Sequence, residues 1–169
     1  QEAPTSKSVR FKWREHVTKT VSENGEALEK FCNALKDGDS KVVEQSLNNY
    51  LKKTISIWDT FVKKQMKENF YHGILLGILG FQQNWSVSSN KESGDGYSDI
   101  LIETEDQETG IIIEIKYAET GNLEAVSEEA LKQIEDRRYE EKLLEEGVEH
   151  ILKYGIAFYK KKCKVMVVK

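Results

Sequence analysis

The sequence predicts an α/β protein in which a central sheet is flanked by helices and preceded by a helical extension. Two observations carry this. Up to Gly80, apolar residues recur at helical spacing between charged ones. Beyond it the texture changes to short apolar runs separated by polar turns, with one long amphipathic stretch from Leu123 to Glu146 set among them. Strand runs on both sides of a helix argue for a sheet with helices packed on it.

The elements follow in order. Val9–Val21 reads as a helix with Phe11, Trp13 and Val17 on its buried side. Glu26–Lys36 and Ser40–Thr54 follow, separated by Asp37-Gly38-Asp39, a stop-and-start signal with Asp39 or Ser40 as N-cap. Val43, Leu47, Tyr50 and Leu51 form the apolar stripe of the second. Trp58–Leu79 is a longer helix, apolar nearly all round towards its end, as expected beneath a sheet; Gly80 closes it. Trp85–Ser89 is a first strand, Glu92–Gly96 a turn, and Ser98–Glu103 and Ile111–Lys116 a hairpin about the loop Glu105–Gly110. Leu123–Glu146 is a helix ended by Gly147. Ile151–Tyr159 and Lys164–Val168 are the last strands, around the basic turn Lys160-Lys161-Lys162.

The chemistry-bearing feature is the run Ile111-Ile112-Ile113-Glu114-Ile115-Lys116. An apolar run of this length reads as a strand buried on both faces. Side chains alternate along a strand, so Glu114 and Lys116 share a side, and the hairpin brings Asp99 opposite the Glu114 region. Buried charges are costly unless they pair or bind something. Two acids and a lysine at one place on a sheet make a metal site with a catalytic lysine beside it. Charges on strands are also commonly just solvated. Ile112, on the same face, speaks against that reading, but spacing alone leaves both open.

Composition narrows the classes. The chain has 169 residues, 38% hydrophobic and 32% charged, enough for a globular core and unlike a disordered segment. A net charge of −4 gives no global basic field, so nucleic-acid binding needs a local patch or metal ions. The 2 cysteines, Cys32 and Cys163, match no ligand spacing and point to a reducing, cytoplasmic compartment. Ile74–Phe81 is too short for a membrane span, and no secretory signal is visible. Gly94 and Gly96 lack the lysine-serine and helix that a phosphate loop requires. Glu68 and His72, one helical turn apart, are either a shared ligand pair or an ordinary helix-face contact. The Lys160–Lys164 cluster is either a phosphate grip or a solvated hairpin tip.

The motifs Glu68-Asn69-Phe70-Tyr71-His72-Gly73, Ser93-Gly94-Asp95-Gly96-Tyr97-Ser98-Asp99-Ile100, Ile113-Glu114-Ile115-Lys116, Ala130-Leu131-Lys132-Gln133-Ile134 and Tyr154-Gly155-Ile156-Ala157-Phe158 occur in that order. In this the chain resembles the PD-(D/E)XK nuclease superfamily. More narrowly, it resembles the nuclease-like C-terminal domain of bacterial proteins with an N-terminal AAA-ATPase-like domain. The resemblance implies a restriction-endonuclease-like core (helix, three-stranded antiparallel start, helix, two further strands). It divides the chain into a helical extension, residues 1–57, and a nuclease-like domain, residues 58–169. It makes Asp99, Glu114 and Lys116 the catalytic residues. Asp99, Glu114 and the Ile115 backbone carbonyl would ligate Mg²⁺ or Mn²⁺, with Glu68 near the metal. Gln133 and Tyr139 resemble a supporting Gln/Tyr helix motif at looser spacing. Ser98 stands where the superfamily name has proline.

The function expected is metal-dependent hydrolysis of phosphodiester bonds, in DNA more than RNA. Carboxylates are the hard oxygen ligands that Mg²⁺ and Mn²⁺ take. The alternative is an inactive domain of the same fold that serves as a protein or nucleic-acid interaction module. An AAA-ATPase-like domain of the same full-length protein is the implied partner, although no Walker A loop occurs here.

Overall fold

The computed structural model describes residues 25–54, 64–91, 97–136 and 139–169. The expected helix Val9–Val21, the start of the expected helix Trp58–Leu79 and the turn Glu92–Gly96 lie outside the described residues.

Helices α1 (Gly25–Asp37) and α2 (Ser40–Thr54) come first. Gly38 adopts φ 73°, and the Asp39 amide donates to the Ala34 carbonyl at 2.9 Å, a Schellman-type end to α1. Asp39 then caps α2, its Oδ1 accepting from the Val42 amide at 3.2 Å. Helix α3 (Lys64–Leu79) leads into strands β1 (Ser86–Lys91), β2 (Tyr97–Glu103) and β3 (Thr109–Tyr117). Helices α4 (Leu123–Asp136) and α5 (Tyr139–Glu145) follow, then β4 (His150–Tyr159) and β5 (Lys162–Val168). The helix expected over Leu123–Glu146 is described as Leu123–Asp136 and Tyr139–Glu145, with residues 137–138 between them outside the described residues. Leu143 is buried while Leu144 is 52% exposed.

The protein is a mixed α/β structure with one five-stranded sheet in the order β1-β2-β3-β4-β5. β1–β2, β2–β3 and β4–β5 are antiparallel, and β3–β4 is parallel, joined by the crossover through α4 and α5. Alternation divides β3 cleanly. Ile111, Ile113, Ile115 and Tyr117 share a core with Tyr71, Ile74 and Leu75 of α3 and with Phe31, Leu35, Leu47 and Leu51 of α1 and α2. Ile112 packs on the other face with Leu101, Ile134, Leu143 and Val148.

The first two helices are built into this sheet. The Tyr154 hydroxyl donates to the Leu35 carbonyl at 2.7 Å, satisfying a buried helix-end acceptor. On β5, the Asn48 side chain accepts from the Cys163 amide at 2.8 Å and donates to its carbonyl at 3.3 Å. Glu44 Oε2 accepts from the Val165 amide at 2.8 Å. Side chains one turn apart on α2 thus occupy the outer hydrogen-bonding groups of an edge strand. At the far side, the turn between β2 and β3 is tied to α1: Lys36 lies 2.8 Å from both Glu105 and Asp106. The Trp85 indole also donates to Glu105, at 2.6 Å.

Candidate active site

Glu114 lies in the middle of β3 and is 0% exposed. Its Oε1 accepts a 2.8 Å hydrogen bond from the Gln133 side chain on α4. Among the described residues its Oε2 is buried with no hydrogen-bond partner. An ionised carboxylate in that position lacks compensation on one oxygen, which is costly in an apolar interior. The backbone around it is tightly packed. Glu114 pairs in register with Gly155 of β4, and a Cβ on Gly155 would meet the Ser127 carbonyl oxygen at 2.3 Å and Leu131 at 2.9 Å. Only a glycine lets α4 cross the sheet this closely, which is what brings Gln133 within reach of Glu114.

Lys116 is two residues along on the same face. Its side chain is 15% exposed, and its ammonium is 3.9 Å from Glu129, a residue one turn before Gln133 on α4. Glu129 is itself 65% exposed, so this contact is long and solvent-screened. Helix α4 therefore runs along β3 with Glu129 over Lys116 and Gln133 over Glu114.

Asp99 pairs directly with Glu114 in the β2–β3 register. Its side chain lies outside the described residues, as does that of Tyr139, which opens α5. Ile115, between Glu114 and Lys116, turns its side chain into the opposite core and pairs in register with Ile156. Glu68 does not sit over Glu114's face. It belongs to α3, which packs on the other side of the sheet, and its Oε1 accepts from the Tyr117 amide at 3.0 Å, at the end of β3. His72 is buried and meets the Ser89 hydroxyl at 3.1 Å. Among the described residues no group of three His, Cys, Asp or Glu side chains comes together as a metal cage.

The cysteines take no part. Burial pushes the Cys32 thiol up to about 11 and raises Cys163 as well, so both stay protonated at neutral pH. Among the described residues no helix is long and apolar enough to cross a membrane.

Two contributors to the site carried little signal in the sequence. Gly155 is a lone glycine inside an apolar strand, a pattern that marks close backbone approach. Glu129 is one acid among several on an exposed helix face, with nothing local to single it out.

A family model described as the PD-(D/E)XK nuclease superfamily matches residues 66–168, from the first turn of α3 to the end of β5. The match spans Glu68, Asp99, Glu114, Lys116, Gln133 and Tyr139. No curated protein matches the chain. Members of this superfamily are usually hydrolytic nucleases that use divalent metals and act on nucleic acid. With more than half of its length matched, and a mixed sheet carrying an acid and a lysine on one buried strand, the chain belongs to the PD-(D/E)XK nuclease superfamily.

Proposed function

We propose that the protein is a divalent-metal-dependent nuclease hydrolysing phosphodiester bonds, in DNA in preference to RNA. The observation that carries this is the buried Glu114 carboxylate, anchored through Oε1 and left without a partner at Oε2. Such an arrangement fits a cation, because a positive charge would compensate the orphaned oxygen. The ligands would be Asp99, Glu114 and the Ile115 carbonyl. Directly paired residues of an antiparallel ladder lie on one face with Cβ atoms about 4.5–5.5 Å apart, which supports Asp99 and Glu114 sharing an ion. When bound, Mg²⁺ or Mn²⁺ supplies Lewis-acid stabilisation of the charge developing on the phosphate and lowers the pKa of water.

The chain's own residues do the rest. Gln133 donates to Glu114 Oε1 and so fixes the carboxylate's orientation. Lys116, largely buried beside Glu129, orients the attacking water or donates to a phosphate oxygen as a P–O bond forms and the P–O bond to the leaving oxygen breaks. Glu68, holding the Tyr117 amide, positions the end of β3; it is a supporting group, with metal contact a secondary role. Tyr139 supports the site from α5.

The finer placement of the chain also belongs to this proposal: a bacterial, cytoplasmic protein, with residues 58–169 as nuclease-like domain and residues 1–57 as extension. An AAA-ATPase-like domain of the same full-length protein is its partner. The rival reading, a nuclease fold retained for interaction only, draws support from the net charge of −4. Incubation with linear, circular and single-stranded DNA and with RNA, in Mg²⁺ or Mn²⁺ against EDTA, decides between them. Metal-dependent cleavage lost in Lys116→Ala supports the enzyme. No cleavage of any substrate by folded protein supports the rival.

A further inference from the structure

Two lysines at the end of β3 and β4 are held by aromatic rings instead of by carboxylates. The Lys67 ammonium stands 4.6 Å from the centroid of Tyr117, and that of Lys160 stands 5.2 Å from the centroid of Tyr159. The two rings are 6.0 Å apart. Tyr117 stacks on Tyr71 at 6.0 Å, and Tyr71 on Phe158 at 4.4 Å, so the cations are mounted on one continuous aromatic stack. The Tyr71 hydroxyl donates to the Lys160 carbonyl at 2.6 Å, pinning the turn in which Lys160 takes φ 52°.

A ring quadrupole positions an ammonium without neutralising it. Among the described residues neither Lys67 nor Lys160 has a carboxylate within ion-pair distance, whereas Lys36, Lys153 and Lys164 each do. Of the nearby acids, Glu68 is engaged by the Tyr117 amide, and Glu119 is exposed in the turn after β3. What sets these two cations apart from other described lysines without an ion pair, such as Lys52 and Lys53, is that rings hold them in place on an otherwise acidic chain. Tyr117 is three residues beyond Glu114, roughly 10 Å along the strand and on the opposite face of the sheet, where β3 ends.

We infer that Lys67 and Lys160 form a phosphate clamp that grips the backbone of a nucleic-acid strand at the end of β3 and β4, without reading its sequence. The identity of the ligand rests on the nuclease reading; the clamp's geometry does not. Phosphate contacts of this kind give salt-dependent affinity, with each lysine adding roughly one to the slope of log K against log salt.

The test is fluorescence anisotropy of a labelled single-stranded DNA oligonucleotide, and of its duplex, with the full chain in EDTA over a range of salt. The double variant Lys67→Gln/Lys160→Gln is expected to bind on the order of tenfold more weakly, with a salt slope lower by about two. The control Lys52→Gln/Lys53→Gln, which removes the same charge from the exposed end of α2, should change the slope much less. An unchanged slope in the double variant, an equal loss in the control, or no binding by the wild type would overturn the clamp. EDTA separates the two readings: an expected slope change in a protein that never cleaves sinks the nuclease and keeps the clamp. Cleavage with an unchanged slope does the reverse.

Discussion

Glu114 is the side chain on which the proposed chemistry turns, and its burial makes the consequences measurable. An orphaned carboxylate oxygen is an expense of the metal-free fold, of a kind that function retains and stability selection would remove. Glu114→Gln should therefore raise the stability of the metal-free protein, by on the order of 1 kcal/mol, while abolishing cleavage. A denaturant melt in EDTA reads the first effect; a lower midpoint than wild type would mean that Glu114 is compensated by something else. Lys116→Ala should behave differently. Cation-induced stabilisation should persist and cleavage should fall sharply, since the ammonium serves water or phosphate and is no ligand. Three other charges define a second residue-scale effect. Hydrogen bonds from Lys36 hold the Asp106 carboxyl below its ordinary 3.8 and Glu105 below its ordinary 4.5, with Thr104 and Trp85 contributing after it. Groups depressed in the folded state contribute stability that is present above their unfolded pKa and lost as pH falls through the folded one. Lys36→Met should accordingly flatten the loss of stability below about pH 4 relative to wild type, as read from melts across that range.

At the scale of elements, the site depends on how closely α4 passes over β3 and β4. Gly155→Ala would force a methyl group against the Ser127 carbonyl and Leu131. It should cost about 1–3 kcal/mol and loosen the Gln133–Glu114 contact, lowering cleavage although residue 155 touches no substrate. Asn48→Ala should cost about 1–2 kcal/mol, because it strips both partners from Cys163 at the β5 edge. The β2–β3 hairpin was legible in the sequence because its signal is local: two charges interrupt an isoleucine run, and a polar loop lies midway between Asp99 and Glu114. Their direct pairing is now seen in the backbone register. The α2 stripe of Val43, Leu47, Tyr50 and Leu51 was legible for the same reason: Val43, Leu47 and Leu51 are buried and Tyr50 packs partly buried against them. The Tyr154 hydroxyl's bond to the Leu35 carbonyl was not. Nor were the Glu44 and Asn48 hooks on β5, or Lys36 on Asp106. These join residues far apart in sequence, where neither spacing nor composition carries information. Glu68 was legible as a motif residue, but its side of the sheet was not.

Over the whole molecule, the described helices that precede the family match share a core with it. Phe31, Leu35, Leu47 and Leu51 are buried in the same core as Ile113 and Phe158, and α2 covers the β5 edge. A chain beginning at residue 58 should lose cooperative unfolding or aggregate through that uncovered edge, even though it retains every proposed catalytic residue. A soluble, cooperatively melting fragment would show the extension to be dispensable. Coupling between site and fold also supplies the most direct test of the central claim, that Asp99 and Glu114 together hold a divalent cation. Binding to the folded state alone stabilises it by about 2.7 kcal/mol at a hundred times the dissociation constant. At roughly 2–4 °C per kcal/mol for a chain of this size, the effect is plain in a thermal melt. The measurement is the melting temperature of the wild type and of Glu114→Gln as Mn²⁺ is raised to millimolar levels. The account predicts a rising, saturating shift in the wild type and none in the variant; equal shifts in both, or no shift in the wild type, would contradict it.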